Sequence, residues 1–298
     1  MMRTIIATGP KKSGCTLLTR LFDSHPEVCT IMDESYFWEH VYNIDPKLFL
    51  DVFKSFSPKE ITDALEDRSM IACLDGWYRQ YGPSMSIIDI NFSTSAWLDG
   101  LKELSNAKTI ADIWKTLSMS YAAARQEIDK THIFIASGDF GKSISAVHRE
   151  LADYRGIFYI RNPYYALDSL KKARELHISF DKRLNAANFM QELNSYYAID
   201  SSWDERTTIV RFEDLVASPK DTMKRIAEHV GIQFSSSLLD PTIDGEKHYG
   251  SSSFRLLHNI DKYPIERPIK ALTRTEIELI TEYLGSTLDL FGYERITA

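Results

Sequence analysis

Two lysines, a serine, a glycine and a threonine stand close together near the start of the chain, as Lys11, Lys12, Ser13, Gly14 and Thr16. The apolar run before them is typical of a buried strand, and the residues after them are typical of a helix. A loop between a strand and a helix directs backbone N–H groups and the positive end of the helix dipole at one point. With two lysine charges added, the segment predicts a binding site for a phosphate or a similar anion.

The loop has the spacing of a nucleotide-binding P-loop except at one residue. A P-loop has a lysine directly after its last glycine, where it contacts the β- and γ-phosphates, and the next hydroxyl holds Mg²⁺. Here Cys15 occupies the lysine position, and the nearest lysine is Lys12, two residues before Gly14. Residues 12–18 instead resemble the sulfotransferase loop that grips the 5′-phosphosulfate of 3′-phosphoadenosine 5′-phosphosulfate (PAPS). The resemblance implies a donor site made of Lys11, Lys12, Ser13, Gly14, Cys15 and Thr16.

A second anion site is indicated after residues 156–160, a short apolar run that favours a buried parallel strand. The run ends in Arg161, and Ser169 follows on a segment that reads as a helix. Arginine binds a phosphate through two parallel N–H bonds, and a serine hydroxyl adds another hydrogen bond. The segment resembles the sulfotransferase motif whose arginine and serine bind the 3′-phosphate of PAPS. The resemblance implies that role for Arg161 and Ser169.

Residues 207–231 resemble a third motif of the same family. The segment predicts a strand followed by a helix that begins after Ser218. Phe212 matches an aromatic residue that lies near the adenine in sulfotransferases. We expect Arg211 and Glu213 mainly to hold the strand end, with a direct chemical role as the alternative.

The polar segment 250–255 resembles a fourth motif, the late sulfotransferase loop that closes over the cofactor. Ser251 replaces the asparagine of that loop. Two nearby lysines, Lys247 and Lys262, either reach the phosphates or lie on a solvated surface. The resemblance implies donor contacts from Ser252, Ser253, Phe254 and Arg255.

Sulfuryl transfer proceeds by in-line attack on sulfur, and negative charge develops on the departing phosphate. We expect Lys12 to stabilise that charge. A base must also take the proton of the acceptor, and the resemblance places it at Glu34, with Asp33 and His40 as alternatives. Lys142 resembles a family lysine that faces the acceptor, although two residues are inserted before it.

Two other classes of function stay open from the residues alone. In a P-loop kinase of a small molecule, Thr16 and Asp139 would hold Mg²⁺ for ATP, although the loop lysine of such enzymes is missing. In a protein that binds PAPS or a nucleotide without catalysis, Glu34 would point away from the pocket. Transfer from PAPS requires no metal in the sulfotransferase family, and we predict no metal site.

Composition narrows the class of protein. The 298 residues suffice for a sizeable core, and 44% hydrophobic and 26% charged residues are ordinary values for a soluble globular protein. The formal net charge of −7 argues against general binding of nucleic acids. Three scattered cysteines and the lack of a leader-like start predict a reducing, cytoplasmic compartment. No apolar run is long enough to span a membrane.

Predicted strands alternate with predicted helices along the chain. This order favours an α/β fold, specifically a three-layer P-loop-like fold with a central parallel sheet flanked by helices. We expect one sulfotransferase-like domain over residues 1–298, with a helical acceptor-side region at about 41–130. Ligands of such sheets bind at the carboxyl ends of the strands, where Lys12 and Arg161 stand.

The acceptor is predicted only by class, as a hydroxyl or amine of a small molecule, a sugar or a peptide. The other product would be adenosine 3′,5′-bisphosphate, and the sequence does not predict an oligomeric state. The first third of the chain is rich in aromatic residues, which line apolar and sugar-binding pockets but more often fill cores. They include Tyr36, Phe37, Trp38, Tyr42, Trp77, Tyr78, Tyr81, Phe92 and Trp97.

Overall fold

A five-stranded parallel sheet organises the part of the chain that the computed structural model describes. The described residues are 2–34, 37–55, 57, 59–60, 91–137, 142–176, 194, 204–247 and 260–296. The strands follow the order β2-β3-β1-β4-β5, so the earliest strand is central. Their bounds are β1 (Arg3–Thr8), β2 (Val28–Glu34), β3 (His132–Ser137), β4 (Tyr154–Ile160) and β5 (Thr207–Arg211). A separate antiparallel pair consists of β6 (Thr242–Ile243) and β7 (Glu246–Lys247).

At least one helix follows each strand of the five-stranded sheet along the chain. None of the helices in the described ranges is long and apolar enough to cross a membrane. Two short 3₁₀ turns cover Lys102–Asn106 and Ser236–Leu239. The α-helices are α1 (Cys15–Phe22), α2 (Phe37–Asn43), α3 (Pro46–Ser55), α4 (Thr94–Leu101), α5 (Ile110–Ala124), α6 (Lys142–Glu150), α7 (Pro163–Leu176), α8 (Phe212–Ala217), α9 (Pro219–Val230), α10 (Tyr263–Glu266), α11 (Arg274–Tyr283) and α12 (Gly285–Leu290).

Alternate side chains of the strands pack into different layers, because successive residues of a strand point to opposite faces of the sheet. Ile5 and Phe134 pack with α1 and α9 on one face, whereas Ile6 packs with α2 to α6 on the other. Phe158 of β4 joins a third cluster with α7, α11 and α12. Each fully buried side chain of this kind stabilises the fold by about 1.5–3 kcal/mol. The predicted three-layer α/β fold with a central parallel sheet is confirmed.

The described part of the region from 41 to 130 is largely helical, as its apolar spacing predicts. Its aromatic residues Trp97 and Trp114 are buried in the core, and the ring of Trp114 lies 4.8 Å from that of Trp38 on α2. The Nε1 atom of Trp114 donates to Oγ1 of Thr4 at 2.7 Å and ties α5 to β1. That this region faces the acceptor stays a prediction, and the aromatic residues Trp77, Tyr78 and Tyr81 singled out from the sequence lie outside the described residues.

The corner between α8 and α9 differs from the expected helix start. Ser218 stands at the predicted N-cap, but its side chain makes no capping hydrogen bond. The same residue ends α8, so its backbone, with φ −138° and ψ 66°, turns the corner between two helices. The Oγ1 atom of Thr222 donates to the carbonyl of Asp214 at 2.9 Å, so this bond satisfies a carbonyl at the end of α8 and ties the two helices together.

Candidate functional site

The loop between β1 and α1 folds as the sequence predicts, directly after the carboxyl end of the central strand. Gly14, with φ 110°, and Lys12, with φ 64°, both adopt left-handed backbone conformations that turn the loop into α1. The first helical hydrogen bond runs from the amide of Leu18 to the carbonyl of Gly14 at 3.0 Å. The amides of the first turn therefore have no partner within α1. Together with the helix dipole, they form a positive site for an anion.

Ser13 contributes a buried hydroxyl to this site. Its amide donates to the carbonyl of Pro10 at 3.2 Å and closes the loop. Its hydroxyl is buried, with 1% of the residue exposed, and has no hydrogen-bond partner among the described residues. Because a buried hydroxyl without a partner costs about 1–3 kcal/mol, this oxygen is suited to a ligand. Lys11, Lys12 and Thr16 are exposed around it, whereas Cys15 is almost buried.

Arg161 is joined to the loop by a hydrogen bond. It is 5% exposed at the carboxyl end of β4, and its Nη1 atom donates to the carbonyl of Lys12 at 3.0 Å. Its Nη2 atom donates to the carbonyl of Pro264 at 2.5 Å. Its guanidinium carbon lies 4.8 Å from the centre of the Phe212 ring, and that ring packs against Gly14. The structure thus brings together the first loop, Arg161 and Phe212, which are far apart in sequence.

Ser169 contacts a residue that the sequence did not single out. Its Oγ atom accepts a hydrogen bond from Nη2 of Arg267 at 2.9 Å, and Nη1 of Arg267 forms a buried ion pair with Asp168. No direct contact joins Ser169 to Arg161 within the described residues; both are connected to the segment 264–267 instead. No local pattern marks Arg267 because its partners lie 98 and 99 residues earlier in the chain.

Arg211 and Glu213 make contacts that fit the structural role expected of them. Glu213 accepts hydrogen bonds from the amide of Asn162 and from the hydroxyl of Tyr293, each at 2.9 Å. Arg211 lies over the Tyr293 ring, 4.7 Å from its centre. Burial and the neighbouring Glu213 carboxylate raise the pKa of the Tyr293 hydroxyl far above its ordinary value. Through Tyr293, Arg211 and Glu213 connect the end of β5 to the segment that follows α12.

Two candidate catalytic residues have a described backbone at the same edge of the sheet. Glu34 is the last residue of β2 and pairs with Ala136 of β3. Because β3 separates β2 from β1, Glu34 lies two strand spacings, or about 10 Å, from the central strand. Lys142 is the first residue of α6, which follows β3. Several predicted contacts involve side chains outside the described part of the structure, and they stay predictions. These side chains are those of Asp33, Glu34, His40, Lys142, Ser252, Ser253, Phe254 and Arg255.

The donors around the loop suit phosphate and sulfate groups. They are backbone amides, a buried hydroxyl and the cations Lys11, Lys12 and Arg161. Such a set binds oxyanions by charge-assisted hydrogen bonds. Two anion positions, at the loop and beside Arg161, lie along one edge of the sheet. The arrangement is therefore suited to a ligand that carries two separate anionic groups.

Comparison with known proteins agrees with this geometry. A model described as "Sulfotransferase family" matches residues 4–236, which is more than half of the chain. The sulfotransferase domain from the curacin biosynthetic pathway superposes with a TM-score of 0.54 at 14% identity, and 99% of each chain is covered. The sulfotransferase domain of the olefin synthase from Synechococcus PCC 7002 has the same TM-score at 16% identity and covers 99% of this chain and 95% of its own. These likenesses concern the fold. No curated protein sequence shows a significant match.

Proposed function

The chain belongs to the sulfotransferase family and transfers a sulfuryl group, and we propose that its donor is PAPS and its acceptor a hydroxyl or amine of a small molecule, sugar or peptide. One observation carries the choice of donor: Arg161 donates to the carbonyl of Lys12, so the two anion sites adjoin. PAPS carries a phosphosulfate at one end and a 3′-phosphate at the other. An ATP-dependent kinase has no need of the second site.

The residues of the loop fit the phosphosulfate end of this donor. The first-turn amides of α1 and the buried Ser13 hydroxyl supply donors that lack partners within the helix or among the described residues. When bound, PAPS supplies an activated sulfuryl group whose leaving group is a phosphate. Lys12, exposed at the mouth of the loop, is positioned to stabilise the charge that develops on that phosphate.

Arg161 and Ser169 form the proposed 3′-phosphate site. The guanidinium of Arg161 is held between the Lys12 and Pro264 carbonyls and lies over the face of Phe212. A fixed guanidinium loses little conformational freedom when it binds a phosphate. Phe212 remains the candidate to lie near the adenine.

Glu34 is the proposed general base and Lys142 the proposed cation on the acceptor side. Support comes from their backbone positions at the carboxyl edge of the sheet, one at the end of β2 and one at the start of α6. Asp33 immediately precedes Glu34, so it is the nearest alternative base, and His40 lies on α2. A base within reach of the acceptor proton contributes roughly 10²–10⁴-fold.

A reducing, cytoplasmic compartment is also proposed for the protein. Cys15 and Cys29 are both buried, and neither is a member of a disulfide. Disulfides form and persist mainly in oxidising compartments. Treatment with an oxidant under native conditions is expected to leave both thiols reduced.

The choice of donor is tested by thermal unfolding in the presence of a metal chelator. Adenosine 3′,5′-bisphosphate at 100 times its dissociation constant is expected to stabilise the fold by about 2.7 kcal/mol. With an unfolding entropy of about 2.1 cal/mol/K per residue, this corresponds to a rise in Tm of about 4 °C. Stabilisation by ATP with Mg²⁺ and not by the bisphosphate would contradict the choice of PAPS as the donor. Labelled PAPS with a panel of phenols, sugars, lipids and peptides then identifies the acceptor.

A further inference from the structure

A buried ion pair lies directly behind the proposed 3′-phosphate site. The side chains of Arg267 and Asp168 are 2% and 0% exposed. Asp168 also accepts hydrogen bonds from the backbone amides of residues 270, 271 and 272. The carboxylate thus fixes the course of the chain after Arg267 and the direction of its guanidinium.

The guanidinium of Arg267 also determines whether the Ser169 hydroxyl can donate or accept a hydrogen bond to a ligand. A guanidinium N–H group can only donate, so the Ser169 oxygen accepts from Arg267 at 2.9 Å. The hydroxyl hydrogen must then point to another acceptor. Ser169 is only 5% exposed, and no hydrogen bond from this hydroxyl to an acceptor is found among the described residues. The hydroxyl is therefore held as a donor, which is the role that a phosphate oxygen requires.

The chain segment that carries Arg267 also reaches the other half of the site. The carbonyl of Pro264, three residues earlier, accepts from Nη2 of Arg161 at 2.5 Å. Segment 264–267 is thus attached to Arg161 through its backbone and to Ser169 through a side chain. A change in the position of Arg267 is transmitted to both groups.

We propose that Arg267 is a positioning residue for the 3′-phosphate: paired with Asp168, it fixes the Ser169 hydroxyl as a hydrogen-bond donor toward that group. The inference rests on the proposed function, since it assumes a donor with a 3′-phosphate. It requires arginine, because only a planar fork donates to a carboxylate and a hydroxyl at once in a fixed geometry. Lysine would keep the ion pair with Asp168 and lose the fixed second contact.

The test measures recognition of the 3′-phosphate separately from binding of the rest of the nucleotide. Dissociation constants are determined by calorimetry for adenosine 3′,5′-bisphosphate and for adenosine 5′-monophosphate, which lacks the 3′-phosphate. The ratio of the dissociation constant for the monophosphate to that for the bisphosphate is expected to fall roughly 10- to 100-fold in Ser169→Ala, the factor that one hydrogen bond to a charged group supplies. Arg267→Lys should lower the ratio by a similar factor, and the double variant by no more than either single variant.

Controls separate positioning from a merely structural role. Arg274→Lys makes the same substitution at an exposed arginine that pairs with Glu278 on α11, and it should leave the ratio unchanged. Equal weakening of both nucleotides by Arg267→Lys, or an unchanged ratio, would overturn the inference. If that variant does not fold, Arg267→Gln, which keeps a neutral donor to Asp168, is measured against the same expectation. A wild-type protein with no preference for the bisphosphate would overturn the proposed function itself, and this inference with it.

Discussion

Replacing Gly14 by alanine tests whether the anion loop depends on its close packing against Phe212. A Cβ atom at Gly14 would lie 2.5 Å from Cδ2 and 3.0 Å from Cε2 of the Phe212 ring. The ring has little room to move away, because it is 7% exposed and lies beneath the guanidinium of Arg161. Displacing it therefore moves Arg161 and the loop together.

Two costs add in this variant. A left-handed backbone costs an L-residue about 1–2 kcal/mol, and an overpacked contact costs about 1–3 kcal/mol. The expected loss of unfolding free energy is their sum, about 2–5 kcal/mol. For 298 residues, an unfolding entropy of about 2.1 cal/mol/K per residue converts this loss into a fall in Tm of about 3–8 °C.

Thermal unfolding with and without adenosine 3′,5′-bisphosphate is the assay. Gly292→Ala is the matched control, because Gly292 has φ 65° and a Cβ there would meet nothing within 4 Å. That control carries only the backbone cost of about 1–2 kcal/mol and should keep the full stabilisation by the bisphosphate. Gly14→Ala should lose most of it. If Gly14→Ala loses no more stability than Gly292→Ala and keeps the ligand effect, the reasoning about this contact is refuted.

Three further predictions concern the acceptor side, the second anion site and pH. Glu34→Gln should lower turnover roughly 10²–10⁴-fold in a labelled PAPS assay and leave bisphosphate affinity nearly intact. Arg161→Lys should raise the dissociation constant of the bisphosphate in calorimetry far more than it lowers turnover at saturation, because a contact remote from the reacting sulfur acts alike in the ground and transition states. Burial lowers the pKa of His25, His132 and His229, so in urea titrations the free energy of unfolding should fall as pH drops below about 6.5, where the unfolded chain binds more protons.

Each of these predictions has an outcome that contradicts it. A fall in turnover of less than about tenfold for Glu34→Gln, against the range given for a general base, would pass that role to Asp33 or His40. Unchanged bisphosphate affinity in Arg161→Lys would mean that Arg161 does not bind the 3′-phosphate and only connects Lys12 to Pro264. A free energy of unfolding that stays constant down to about pH 5 would mean that the histidines take up protons in the folded state near their ordinary pKa.

The sequence predicted those parts of the site that depend on local patterns. The first loop and the segment around Arg161 each span about a dozen residues. Their pattern of apolar and polar residues predicts a strand, a turn and a helix in that order. The structure confirms the fold that these segments imply. The residues alone left a kinase open, and the family match removed that alternative.

The parts that the sequence missed depend on contacts between distant segments. Strand β2 (Val28–Glu34) pairs with β3, about a hundred residues later, and the pairing shifts register between Thr30 and Glu34. Arg267 has its partners about a hundred residues earlier. The hydrogen bond from Tyr293 to Glu213 spans 80 residues. Such pairings have no local signature.

The central place of β1 has a consequence for how the protein is made. Both neighbours of β1 come from much later in the chain, since Arg3–Thr8 pairs with His132–Ser137 and with part of Tyr154–Ile160. At a ribosomal rate of about 5–20 residues per second, the completed first strand waits on the order of 10 s before either neighbour has been synthesised. During that interval an apolar strand has two unpaired edges, which is the condition under which chaperones bind nascent chains and aggregation competes with folding. Yield in a cell should therefore respond to translation speed and chaperone supply more strongly than equilibrium stability alone suggests.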